Sequence, residues 1–87
     1  MLVSDVNSFV QMIDELLRAS GGDVIDRTRA VDHLLDLRIE AGIPALEFAV
    51  DAALRELPGR TMVAVTDWHD VLRGLLAAAA LEADAVG

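Results

Sequence analysis

The sequence predicts an all-α protein, a compact and antiparallel bundle-like domain of four helices over about residues 5–19, 23–41, 44–57 and 67–84. Three observations point there. Apolar residues recur at i, i+3, i+4 and i+7 through four stretches, which lines one face of a 3.6-residue helix. Between the stretches stand helix-stopping residues, Ser20-Gly21-Gly22, Gly42 and Pro58-Gly59. The connections are short, which favours antiparallel neighbours.

In the first helix Val6, Phe9, Val10, Ile13, Leu16 and Leu17 make the apolar stripe, with Asn7, Gln11, Asp14 and Arg18 opposite. Ser4 or Asp5 is the expected cap, offering a side-chain oxygen to the free N–H groups of the first turn. Asp14 and Arg18 are spaced i, i+4, a pairing worth about 0.2–0.5 kcal/mol. Asp23 is the expected cap of the second helix. There Asp26, Arg29, Asp32, His33, Asp36 and Glu40 form a polar strip, and Ala30, Val31, Leu34, Leu35, Leu37, Ile39 and Ala41 spread over the rest. So wide an apolar arc suits a central or interfacial helix. Pro44 opens the third helix, because its missing N–H costs nothing at the first helical position. Leu46, Val50, Ala53, Leu54 and Leu57 face in; Glu47, Asp51 and Arg55 face out, with Asp51 and Arg55 again at i, i+4.

Residues 60–66 are ambiguous. Met62-Val63-Ala64-Val65 is β-prone by residue type, yet no other segment reads as its partner strand. An extended, buried connector is expected, with Thr66 or Asp67 capping the last helix. A continuous helix from Thr61 and a strand paired with its copy in a dimer are the rival possibilities. In the last helix Trp68, Leu72, Leu75, Leu76, Ala79 and Ala83 line one face. Gly74, Ala77, Ala78 and Leu81 form a second apolar strip, and a helix apolar nearly all round is usually covered on more than one side. These four residues are the candidate interface, and a homodimer is expected through them. Phe9, Leu16, Leu34, Val50, Leu54, Trp68, Leu72 and Leu75 are the expected core.

Composition bounds the function. Residues 1–87 make one small domain, 54% hydrophobic against about 45–50% for soluble domains, and the excess leans towards an interface. The formal charge is −8, and all seven bases are Arg. Arg in place of Lys, with abundant Ala, fits GC-rich coding of the kind found in actinobacteria and their phages. With no Cys there is no disulfide, thiol nucleophile or thiolate metal site. The start lacks a basic region followed by an apolar one, and no apolar run approaches the roughly 18–20 residues of a membrane span, so a cytoplasmic protein is expected. Excess acid disfavours anionic lipid and nucleic acid as partners.

Chemical constellations are weak. The second and third helices, joined at residues 42–44, have the layout of a DNA-binding helix-turn-helix. The second of them, however, carries Glu47, Asp51 and Glu56 against Arg55, and would repel phosphates. Asp32, Asp36 and Glu40 beside His33 lack the paired His/Glu spacing of a metal site; a solvated helix face explains them. His69 beside Trp68 reads as the neighbour of a packing anchor. The chain does not resemble the small helical chorismate mutases, which need a Lys, nor the helical nucleotide pyrophosphohydrolases, since none of its five Glu is three residues from another. No catalytic, cofactor or metal residue is therefore expected. The sequence suggests a small acidic, non-enzymatic protein–protein interaction module, homodimeric, of a phage or actinobacterial accessory kind. The alternatives are a DNA-binding regulator whose dimer gathers Arg27, Arg29 and Arg60, and an acidic decoy of a nucleic-acid-binding protein.

Overall fold

Four helices and two short strands follow one another in the computed structural model, which describes residues 2–86 and the side chains of residues 6–82. They are α1 (Leu2–Ala19), β1 (Val24–Asp26), α2 (Arg27–Ala41), α3 (Pro44–Glu56), β2 (Met62–Ala64) and α4 (Val65–Val86). The protein is thus mostly helical, with the four expected helices and a small two-stranded sheet beside them. α1 begins at Leu2, ahead of Ser4 and Asp5, so neither stands in the capping position; their side chains lie outside the described residues.

The main departure from expectation is at the start of α2. Residues 24–26 are not helix. Val24 and Ile25, both β-branched, and Asp26 pair with Met62–Ala64 in an antiparallel ladder whose register is Val24↔Ala64, Ile25↔Val63, Asp26↔Met62. Met62–Ala64 therefore finds its partner in its own chain: it is neither an unpaired connector nor part of a helix from Thr61, since α4 begins only at Val65, and it needs no second copy to pair. The cap of α2 is Asp26 and not Asp23: the Asp26 carboxylate accepts the Thr28 backbone N–H at 3.0 Å. A two-stranded sheet is marginal by itself. This one holds because one face is packed: Val63 is buried and Ile25 half-buried against the core, while Val24 and Met62 face out.

The sheet also starts both helices that follow it. Arg27, the first residue of α2, donates its N–H to the Thr61 carbonyl at 2.8 Å; Val65, the first of α4, donates to the Asp23 carbonyl at 2.9 Å. The first N–H groups of a helix have no partner within it. Here each helix begins on a carbonyl supplied by the strand segment that leads into the other. The Arg27 side chain adds a third tie, from Nε to the Pro58 carbonyl at 3.0 Å. α4 starting at Val65 puts Thr66 and Asp67 inside its first turn, not at its cap; an acid there suits the helix dipole.

The remaining boundaries follow local chemistry. Gly42 closes α2 in the left-handed region at φ 70°, which glycine adopts without strain. Ile43 is extended, and Pro44 takes the first position of α3. The helices contact in the cyclic order α1–α2–α3–α4, with α4 returning to α1. At about 1.5 Å per residue α4, with 22 residues, is the longest element. No helix among the described residues is long and apolar enough to cross a membrane.

Of the expected core, Phe9, Leu34, Val50, Trp68, Leu72 and Leu75 are buried, and Leu16 and Leu54 pack half-buried against them. Trp68 is the largest fully buried side chain. Its indole N–H donates to Ser20 Oγ at 3.1 Å, and Ser20 Oγ donates in turn to the Leu16 carbonyl. The residue that ends α1 thereby satisfies the one polar atom of the indole. Ser20→Ala should cost about 1–3 kcal/mol in urea denaturation, because it leaves that buried N–H unpaired. In a Trp68→Phe background the same substitution should cost far less; equal losses in both would refute the pairing.

Candidate interaction surface

α4 buries the stripe Trp68, Leu72, Leu75 and Ala79. At about 100° of rotation per residue, Gly74, Ala77 and Leu81 fall on the far side of the helix. All three are exposed, Leu81 to 70%. Among the described residues a Cβ built on Gly74 meets nothing within 4 Å, so none of them packs closely against it. Ala78 differs. It stands at the margin of the buried stripe, half-buried and packed on the core. Three of the four candidate interface residues thus share one open strip, and the fourth belongs to the edge of the interior. Beside the strip, Gly74 and Val71 of α4 and Ala49 and Ala52 of α3 line a shallow groove.

A second apolar surface lies on α2 and α3. Ile39 is 80% exposed and Phe48 69%, with Leu35 also exposed. The wide apolar arc of the second helix includes Leu35 and Ile39, whereas Phe48 belongs to no apolar stripe read from the sequence. Its signal was present: Phe48 is two residues from Leu46 and two from Val50, both buried, and that spacing turns a helical side chain outward. Between these residues Arg38 Nε donates to Asp51 Oδ1 at 2.8 Å, joining α2 to α3. The hydrogen bond and charge of Asp51, with a smaller contribution from Glu47, hold the Arg38 guanidinium above its ordinary value. Asp51 pairs here rather than with Arg55 in its own helix. Among the described residues the only other ion pair is Arg73 with Asp70, so Asp14 and Arg18 also stand apart. Exposed at both ends, the Arg38–Asp51 bridge adds little to stability.

The polar candidates are scattered. His33 lies in an open cleft with Leu16, Ser20, Ile25, Asp26 and Arg29, its ring tilted 32° to that of Trp68 at 6.2 Å. The Ser20 hydroxyl in that cleft is already engaged by Trp68 and the Leu16 carbonyl. Asp32, Asp36 and Glu40 are exposed and, among the described residues, do not gather with His33 into a group of three that could hold a metal. His69 is half-buried, with Nε2 out of solvent and without a hydrogen-bond partner. Of the arginines proposed to meet DNA, Arg27 is tied to the Pro58 carbonyl, while Arg29 and Arg60 are exposed. Comparison of the chain with protein-family models, curated proteins and solved structures finds no match.

Open space around Gly74 gives a direct test. Gly74→Ala in the dilute protein should raise stability by about 0.5–1 kcal/mol, the helix-propensity difference. A loss of stability in the same denaturation experiment would mean that a backbone already packs against this position.

Proposed function

We propose that this protein is a small acidic interaction module, not an enzyme, that pairs with a second copy through the outer strip of α4 and acts by binding another protein in the cytoplasm. The observation that carries this is Leu81, a large apolar side chain 70% exposed on the same strip as Gly74 and Ala77. Isolated exposed leucines are ordinary. A leucine flanked by small residues along one helix face is a different matter, because a second helix can approach closely there and cover it. Small domains gain buried area readily by association, and the high apolar fraction points the same way. A phage or actinobacterial accessory role fits the Arg-for-Lys coding pattern, and an acidic decoy is a variant built on Asp32, Asp36 and Glu40.

DNA binding through the 42–44 corner fits less well. Of the chain's seven bases, Arg27 is held by Pro58 and Arg38 by Asp51. The outward face of α3 presents Phe48 and Asp51 where a recognition helix needs donors to phosphates and bases.

Leu81→Glu should convert a dimer to monomer in light scattering and leave helical circular dichroism unchanged; a mass that is the same in both proteins would remove the proposed pairing. In a titration with duplex DNA no binding is expected even at low salt. Binding that weakens steeply as salt rises would instead support the regulator.

A further inference from the structure

We infer that the outer surface of the α2–α3 hairpin is a docking site for a basic amphipathic helix. The inference rests on the interaction-module reading above but not on pairing through α4. Leu35 and Ile39 are i, i+4 neighbours on one face of α2, pointing away from the buried residues Leu34, Leu37 and Ala41. Leu35 lies one turn before Arg38, and Phe48 one turn before Asp51. The ion pair between Arg38 and Asp51 joins the two helices between them, and Leu35, Ile39 and Phe48 are three large apolar side chains open to solvent on this hairpin.

The surroundings select the occupant. Asp32, Asp36 and Glu40 run down α2 beside Leu35 and Ile39, all exposed; Glu47 and Asp51 flank Phe48 on α3. The one base among them, Arg38, is already neutralised by Asp51. Arg29 and Arg55 stand at the outer ends, one turn beyond Asp32 and Asp51. A second copy of this chain, at −8, would bring acid against acid here. A helix with an apolar stripe bordered by Lys and Arg would cover Leu35, Ile39 and Phe48 and meet the carboxylates with opposite charge.

The test uses the full chain and a fluorescein-labelled model helix of about 18 residues, five turns, with Leu at i, i+3, i+4 and i+7 and Lys elsewhere. A scrambled peptide of the same composition is the control, and anisotropy reads binding at about 50 and 200 mM salt. The ordered peptide should bind at least about tenfold more tightly than the scrambled one. Ile39→Ser and Phe48→Ser should each weaken it about tenfold, the loss expected when one large apolar contact is removed. Asp36→Asn with Glu40→Gln should weaken it and flatten its salt dependence. Both apolar positions are open to solvent, so these variants keep the fold, as circular dichroism would verify. Leu81→Glu should bind as the parent does, which separates this surface from α4. Equal affinity for the two peptides, absence of binding, or Ile39→Ser and Phe48→Ser binding unchanged would each overturn the inference.

Discussion

Two helices of this protein begin on each other's leading strand. The carbonyl of Asp23 accepts the first N–H of α4, and the carbonyl of Thr61 accepts the first N–H of α2. A helix start is normally satisfied by a side chain or by water. Here the backbone does it reciprocally, through a sheet of three residues a side. The arrangement fixes where α2 and α4 start relative to one another, and with it which faces they turn inward. The α2–α3 hairpin leaves from one strand and returns to the other, so its position in the fold is set at the same junction.

The interior is built on that frame. Trp68 comes one turn into α4 and reaches Ser20 at the end of α1, so the largest core side chain is bonded to the loop that leads into β1. Around it Phe9, Ile13, Leu34, Leu72 and Val63 close the space. A chain of this length cannot hide every apolar residue it carries. Leu81 on α4 and Leu35, Ile39 and Phe48 on the hairpin remain outside. Their separation matters chemically. On α4 Leu81 stands beside Gly74 and Ala77, whereas the hairpin surface is bordered by the acids Asp32, Asp36, Glu40 and Glu47.

The periodic parts of the fold were legible from residues alone. The stripes of all four helices, the left-handed Gly42, Pro44 at the start of α3 and most of the core emerge from spacing and turn chemistry. The strands did not. Three residues are too few to display alternation, and Val24-Ile25-Asp26 followed by a helical stripe looks like the beginning of that stripe. What makes them strand is Met62–Ala64, distant in sequence, together with the burial that only the assembled core supplies to Val63. Ion pairing failed for a related reason. Asp51 has Arg55 at helical spacing, but folding offers it Arg38 from another helix. On α4 Gly74, Ala77 and Leu81 lie on the open side of the helix, whereas Ala78 sits at its margin, because its angle lies between the two faces, where neighbours and not periodicity decide.

The cyclic order of the helices has a consequence for how the protein matures. α1 rests mainly against α4, and Phe9 and Ile13 depend on that neighbour for cover. On the ribosome the first amphipathic segment emerges long before the one that shields it. The α2–α3 hairpin can assemble meanwhile from contacts near in sequence, but β1 must wait for β2, and the indole that completes the interior comes later still. Acquisition of the native state is therefore deferred until translation has passed α4, and the nascent chain must keep its leading greasy face out of trouble in the interval.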